Sequence, residues 1–243
     1  MGQPKRCLPD SGGRAGLPCC VDRRRPIERT RSQDWNDTAM ATPSATSALA
    51  PSLWPARTNA FLRDVVLVVL GSLLIAASAK IQVPFWPVPM TLQTLAVMVI
   101  PAAYGLRVGL ATVVAYLAEG LAGLPVFAGA AAGPAYFLGP TGGFLAGFIV
   151  AAAIIGYATD RGWDRSTLRL GAAMAIGDAL IFAAGFAWLA WFATVSAGQG
   201  VGTARAFAGG VQPFILGDVV KVALGALAVP AVWRLVDRRR LAP

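Results

Sequence analysis

Two oppositely charged residues near the end of the chain are the first candidates for chemistry. Asp218 and Lys221 lie three residues apart in an apolar stretch, so they share one face of the helix that this stretch predicts. A charged residue at the centre of a membrane helix costs about 2.5–3.5 kcal/mol, and a functional site is therefore the default interpretation. We predict that Lys221 meets a ligand carboxylate and Asp218 accepts N–H donors. An ion pair that only eases insertion is the alternative.

Two further polar residues lie in apolar segments and could line the same cavity. Asp178 falls within the fifth predicted span, where it either lines the cavity or bonds neighbouring helices. Gln93 stands one turn inside a short predicted helix, and its amide supplies both donors and an acceptor. Ordinary bonding between helices explains Gln93 equally well. Both residues are candidate substrate-binding residues.

Aromatic residues cluster in two segments that are rich in proline or glycine. Trp86 lies in residues 81–90, and Phe127 and Tyr136 lie in residues 125–140. Ligand sites combine apolar walls with few polar anchors, so these rings are candidates for a lid over a ring-bearing ligand. An aromatic belt at the membrane interface is the alternative. We expect both segments to fold back over the helices, because such apolar, non-helical backbone is tolerated where protein covers it or it lines a cavity.

The elements that position these residues are predicted to be transmembrane helices in a lipid bilayer. The chain of 243 residues is 56% hydrophobic and only 14% charged, whereas a soluble domain carries about 25% charged residues. A tight turn is predicted at residues 105–107. Apolar stretches predict six spans, at residues 61–79, 91–105, 108–124, 141–159, 170–195 and 211–233. We therefore predict an all-α membrane protein with six transmembrane helices.

The distribution of basic residues predicts the orientation. If both termini are cytoplasmic, the outer side holds only Lys80 and Arg205. The inner side then collects the other basic residues near the spans, namely Arg57, Arg63, Arg107, Arg161, Arg165, Arg169, Arg234, Arg238, Arg239 and Arg240. The positive-inside rule favours this arrangement. We expect a multi-pass protein of the cell inner (plasma) membrane whose two aromatic segments face outward.

The chain divides into three predicted regions. Residues 1–60 are polar, lack an apolar run and are predicted to be a disordered tail. Met40 is an alternative start of translation, as hypothesised from the milder composition that follows it. Residues 61–234 are predicted to form the substrate-binding domain of six transmembrane helices, and residues 235–243 a basic cytoplasmic tail.

Several classes of function are disfavoured by residues that the sequence lacks. The chain has no histidine, which removes the commonest general base and metal ligand. Cys7, Cys19 and Cys20 match no metal-binding spacing, so we expect neither a metal nor another cofactor. No lysine stands in a phosphate-binding loop. We therefore expect no enzyme. Despite a net charge of +9, we expect no nucleic-acid binding, because the basic residues lie in tails and short loops.

Three segments together resemble the BioY family of biotin transporters. They are residues 81–94 (IQVPFWPVPMTLQT), 123–143 (GLPVFAGAAAGPAYFLGPTGG) and 213–221 (PFILGDVVK). Residues 177–188 (GDALIFAAGFAW) also fit, and the resemblance covers residues 61–234 in order. Members of this family are substrate-binding, or S, components of energy-coupling factor (ECF) uptake systems. The tail of residues 1–60 departs from the family pattern and puts the translation start in doubt.

The resemblance implies an S-component fold that captures biotin from outside. Such a protein would dock on a transmembrane coupling subunit bound to two cassette ATPases. The family pattern also implies that Asp218, Lys221 and Gln93 reach biotin, whose carboxylate, ureido group and apolar rings suit the residues above. Two alternatives stay open: an S component for another vitamin, and a stand-alone ion-coupled carrier with Asp178 and Asp218 as relay sites. The sequence also leaves open whether the chain forms a homo-oligomer.

Overall fold

Five helices of the computed structural model are long and apolar enough to cross a membrane. The structure describes residues 48–49, 59–84, 88–129, 131–195 and 198–241, which lie in one unit spanning Ala45–Pro243. The five long helices are α1 (Ala60–Lys80), α2 (Gln93–Leu121), α4 (Gly142–Asp160), α5 (Thr167–Trp191) and α7 (Ile215–Leu241). Shorter elements between them are α3 (Pro134–Leu138), a 3-10 turn (Trp163–Arg165) and α6 (Thr203–Gly210).

Two short antiparallel hairpins complete the described elements. In the first, β1 (Gln82–Val83) pairs with β2 (Met90–Thr91), so that Gln82 faces Thr91. In the second, β3 (Thr194–Val195) pairs with β4 (Gly198–Gln199). The first hairpin agrees with the extended chain predicted for residues 81–90, where closely spaced prolines prevent a helix.

Helix α1 packs along one face and exposes the other. Asn59 caps its start by accepting a hydrogen bond from the backbone N–H of Phe61 at 3.2 Å. Ile75 and its helical neighbours on the same face are buried, whereas Leu73 on the opposite face is 58% exposed. Further large apolar side chains are exposed beside Leu73 on α1, and such a surface suits lipid rather than water.

Helix α2 reverses its direction at Gly105, whose backbone leaves the helical region at φ 82° and ψ 180°. In a straight helix, residues 101 and 109 would stand about 12 Å apart along the axis. Instead, a Cβ atom added to Gly109 would lie 2.6 Å from the Cα atom of Pro101. The arms formed by residues 93–104 and 106–121 therefore pack side by side.

The reversal explains how the predicted spans map onto the observed helices. The predicted spans 91–105 and 108–124 correspond to the two arms of α2, and the predicted turn coincides with Gly105. The prediction of six spans is thus matched in part, because five helices meet the length and hydropathy required of a span. Asp160, at the end of α4, accepts a hydrogen bond from the backbone N–H of Leu106 at 3.3 Å and so caps the second arm.

Other boundaries differ from the predicted ones. The predicted loop between residues 195 and 211 contains α6, which packs on α5 through the fully buried Ala206. Helix α7 continues to Leu241, through residues that the sequence assigns to a basic tail. The predicted disordered tail, including Met40, lies almost entirely outside the described residues.

The core lies between α2, α4 and α5. Close approach of α4 and α5 requires glycine at position 143, where a Cβ atom would lie 2.2 Å from the Cβ atom of Trp188. Small residues at such contacts allow helices to pack closely in lipid, where van der Waals contact drives association. A second buried cluster joins α5 to α7 around Met174 and Trp233. These contacts fix the relative positions of the helices that carry the polar candidates.

Candidate functional site

A cavity opens at the end of the bundle where α2, α4 and α7 begin. Its volume, counted with the open mouth, is about 520 Å³. Most of the lining is apolar, and a few polar groups converge on it. The lining residues are Val88, Pro89, Thr91, Gln93, Thr94, Ala128, Tyr136, Thr141, Phe144, Leu145, Phe148, Ile181, Phe182, Phe214, Asp218 and Lys221.

Asp218 and Lys221 form a buried ion pair in the wall of this cavity. The Nζ atom of Lys221 lies 2.8 Å from Oδ1 of Asp218, and their side chains are 10% and 2% exposed, respectively. Lys221 also donates to the backbone carbonyl of Thr91 at 2.8 Å. The spacing of three residues in α7 brings the two charges together, as the sequence predicts.

The hydroxyl of Thr94 connects this pair to α2. It accepts a hydrogen bond from Nζ of Lys221 at 2.9 Å and donates one to Oδ1 of Asp218 at 3.0 Å. With the carbonyl of Thr91, all three N–H donors of Lys221 have acceptors. Both charges are therefore satisfied by groups of the protein itself, which lowers the cost of keeping them buried.

Helix N-termini meet at the cavity and give it a positive electrostatic bias. Gln93 begins α2, Thr141 directly precedes α4, and Asp218 lies in the first turn of α7. Each helix N-terminus carries about half a positive charge and unpaired N–H groups, an arrangement that favours anions. The geometry thus suits both the carboxylate of Asp218 and an additional anionic group of a ligand.

Gln93 contributes a buried amide group to the wall of the cavity. The residue is 4% exposed and lines the cavity. Its Nε2 atom has no hydrogen-bond partner among the residues that the structure describes. An unpaired buried amide costs about 1–3 kcal/mol. A ligand acceptor at this point would remove that cost.

One predicted aromatic candidate faces the cavity, and another stands behind it. Tyr136 lines the cavity, and burial raises the pKa of its phenol, so that it remains a neutral hydroxyl. Phe127 stacks on Tyr136 with ring centroids 4.8 Å apart, but it is fully buried and is absent from the lining. It packs edge-on against Tyr116 at 5.5 Å. Phe127 therefore supports the wall from behind.

Asp178 is not among the described residues that line the cavity. Asp178 lies on α5, near enough to Asp218 and Lys221 to interact with both charges. Its Oδ1 atom is buried, without a hydrogen-bond partner in the described part of the chain. Trp86 falls in residues 85–87, which lie outside the described residues.

Sequence reasoning missed Thr94, Thr141 and most of the apolar wall. The wall includes Phe144 and Phe182, which meet edge-on with centroids 6.1 Å apart. Threonine is common in membrane helices, so the type alone carries little information. The available signal was position, because Thr94 follows Gln93 and Thr141 precedes a glycine-rich helix start.

Comparison with known proteins assigns the chain to the same family that the three sequence segments resemble. The profile of the BioY family matches residues 45–238. A probable biotin transporter BioY from Pyrococcus horikoshii is 37% identical, with coverage of 68% of this chain and 93% of that protein. The biotin transporter BioY from Rhizobium etli is also 37% identical, covering 70% and 92% of the two chains.

The fold of this chain is also similar to that of a solved structure. It is the crystal structure of the S-component for biotin from an ECF-type ABC transporter. The TM-score is 0.63 at 25% sequence identity, and the match covers 74% of this chain and 95% of that one. Both the family match and the relatives span most of the described helices. The chain belongs to the BioY family.

Proposed function

We propose that this protein is the biotin-capturing membrane subunit of an ATP-driven uptake system. Family membership supports the proposal, as do relatives that are named biotin transporters. The single observation that carries it is the position of the Asp218–Lys221 pair. These charges line a cavity, rather than facing lipid or an interior contact without open space.

The chemistry of biotin suits this cavity. Its carboxylate is complementary to Lys221 and to the convergent helix N-termini. Its ureido group offers N–H donors to Asp218 and a carbonyl to the unpaired amide of Gln93. Its bicyclic body suits the apolar wall that includes Tyr136 and Phe144. Asp178 interacts with both charges of the pair and so contributes to the charge balance of the site.

Six membrane crossings are supported by the reversal at Gly105. The first arm of α2, residues 93–104, is about 18 Å long at 1.5 Å per residue, shorter than the roughly 30 Å hydrocarbon core. We infer that this arm begins within the membrane, so that Gln93 and the cavity lie below the outer surface. Lys80 and Arg205 lie at the cavity end, and Arg107 and Arg161 at the opposite end. The positive-inside rule then places both termini in the cytoplasm of an inner-membrane protein.

Energy for transport must come from other subunits in this proposal. The chain contains no phosphate-binding loop, and the solved relative is described as part of an ECF-type ABC transporter. We therefore infer a complex with a transmembrane coupling subunit and cassette ATPases.

Direct binding tests the proposal. The full chain, purified in lipid nanodiscs, should retain radiolabelled biotin, and Lys221→Ala should abolish retention. Arg161→Ala removes an exposed cation from the opposite end and is the matched control. Failure of the unmodified protein to retain biotin would contradict the proposal. Retention of thiamine or riboflavin instead would favour an S component for another vitamin.

Uptake by whole cells separates the coupled subunit from a stand-alone carrier. We expect biotin accumulation to require co-expression of a coupling subunit with its ATPases. Accumulation without them that collapses with the proton gradient, and that Asp178→Asn abolishes, would support the ion-coupled alternative.

A further inference from the structure

Lys80 makes an unusual set of contacts at the end of α1. Its ammonium donates to three backbone carbonyls of the 125–129 loop: those of Pro125 at 2.5 Å, Phe127 at 2.8 Å and Gly129 at 2.6 Å. A lysine has three donors, so the loop takes all of them. The sequence alone suggests a lysine that extends into the membrane interface, and the structure places it on the loop instead.

The 125–129 loop supplies part of the cavity wall. Ala128 lines the cavity, and Phe127 carries the ring on which the lining residue Tyr136 stacks. The chain that follows is held at its far end, where Nε1 of Trp188 donates to the carbonyl of Gly139 at 2.9 Å. Displacement of the loop would therefore move both Ala128 and the support of Tyr136.

Few other hydrogen bonds join the 125–129 loop to described residues outside it. The hydroxyl of Tyr116 donates to the carbonyl of Val126 at 3.3 Å. The described backbone hydrogen bonds of this segment are local, such as that from Val126 N–H to the carbonyl of Leu124 at 2.8 Å. Hydrogen bonds from a charged donor are about twice as strong as neutral ones. Lys80 thus provides charged hydrogen bonds that join the loop to α1, in addition to the packing of the buried Phe127 ring.

We propose that Lys80 is a positioning residue that holds the 125–129 loop against the cavity and so sets the rate at which bound biotin escapes. The consequence for biotin rests on the proposed function. The positioning of the loop does not, because the contacts of Lys80 join only groups of the protein.

The first measurement needs no ligand. The background is a full chain in which Cys7, Cys19 and Cys20 are serine and Ala128 is replaced by cysteine. A membrane-impermeant maleimide then reports how often the loop opens. Loss of one charge-assisted hydrogen bond corresponds to about a tenfold change or more, so Lys80→Met should raise the labelling rate at least that much. Lys80→Arg keeps donors for several carbonyls, so its labelling rate should stay near that of the parent protein with Lys80.

The second measurement is release of radiolabelled biotin from nanodisc-embedded protein. Lys80→Met should raise the dissociation rate by about the same factor. Lys80→Arg should restore slow release. Arg205→Met removes a cation from the same end and is the matched control. Lys80→Gln, which keeps two N–H donors, serves if Lys80→Met does not fold.

The outcomes separate this role from a purely structural one. Unchanged labelling in Lys80→Met and Lys80→Gln would overturn the proposal, as would faster biotin release without faster labelling. A loss of thermal stability that Lys80→Arg shares would also overturn it. If the unmodified protein binds no biotin but replacement of Lys80 still raises the labelling rate, the proposed function is contradicted. The role of Lys80 in positioning the loop is then still supported.

Discussion

The hydroxyl of Thr94 lies 3.0 Å from Oδ1 of Asp218, although the two residues are 124 positions apart in the chain. The same hydroxyl accepts a hydrogen bond from Lys221 at 2.9 Å. It therefore holds both charges of α7 against the first turn of α2. A ligand that enters the cavity meets charges whose positions are already fixed, which reduces the entropy lost on binding.

Thr94→Val tests this arrangement with almost no change in shape. Removing a hydrogen bond to a charged group costs about 1.5–3 kcal/mol, so we expect biotin to bind about tenfold or more weakly. Equilibrium binding of radiolabelled biotin checks this. Thr112→Val is the matched control, since the Thr112 hydroxyl is also buried but donates to its own helix at Val108, away from the cavity. Equal losses in the two variants would contradict a specific role for Thr94.

Separate replacement of the charged partners distinguishes folding from binding. Lys221→Met leaves the carboxylate of Asp218, 2% exposed, without its cation, and breaking a buried pair costs about 3–5 kcal/mol. The double variant Asp218→Leu/Lys221→Met removes both charges and should recover most of the thermal stability. It should still fail to bind biotin. Biotin binding by the double variant would show that the pair serves folding alone.

The ion pair and the reversal of α2 were predictable from local pattern. Positions 218 and 221 share a helix face by spacing alone, and Gly105 followed by an arginine marks a turn between two apolar stretches. The cavity was less predictable, because its polar connections join distant elements. Nothing local in the sequence indicates that Thr94 rather than Asp178 contacts Lys221.

The aromatic residues also show that the local sequence indicates some features of the site, whereas others depend on tertiary contacts. The sequence makes Phe127 and Tyr136 candidates for an apolar lid; Tyr136 lines the cavity, and Phe127 stacks on it. Which ring faces the cavity depends on Gly120, where any side chain would occupy the space of the Phe127 ring, since a Cβ atom would lie 1.9 Å from Cζ. The glycine creates the pocket that buries Phe127 and leaves Tyr136 at the cavity.

Gly105→Ala should destabilise the protein through a steric clash added to backbone strain. A positive φ with extended ψ costs a side chain about 1–3 kcal/mol. In addition, the new Cβ atom would lie 2.5 Å from Oδ1 of Asp160, which caps the second arm. Gly133→Ala is the matched control, because Gly133 has nearly the same conformation, φ 83° and ψ 174°, with nothing within 4 Å of the added atom. Thermal unfolding should show the larger loss for Gly105→Ala, and equal losses would contradict the clash.

Asp164 should make the stability depend on pH at the end opposite the cavity. It is 3% exposed, and its Oδ2 accepts a hydrogen bond from Nε1 of Trp233 at 2.6 Å. Burial raises the pKa of Asp164 above its ordinary value of 3.8, although the bond from Trp233 lowers it. The folded state then binds more protons than the unfolded state between the two pKa values. The free energy of unfolding therefore falls as the pH rises through that window.

Asp164→Asn keeps an acceptor for Trp233 and cannot ionise. We compare the free energy of unfolding of this variant with that of the unmodified protein. The difference in favour of the variant should be larger at neutral pH than at a pH below 3.8, the ordinary pKa of the carboxyl group. Thermal unfolding across this range measures the difference. A constant difference at all pH values would contradict the assignment to Asp164.

Gln93→Leu should stabilise the empty protein and weaken its binding of biotin. The buried amide nitrogen of Gln93 has no partner in the described structure, so replacing it by an apolar group removes a cost of about 1–3 kcal/mol. The same change removes a donor that we assign to the ureido carbonyl. We expect a higher unfolding midpoint without biotin and a smaller rise on adding it. Gln212→Leu, at an exposed position before α7, should change neither. If Gln93 served only to bond neighbouring helices, its replacement would lower the midpoint, because the bond would be lost from the empty protein. Opposite changes in stability and affinity are thus the expected sign that this amide is kept for a ligand rather than for the fold.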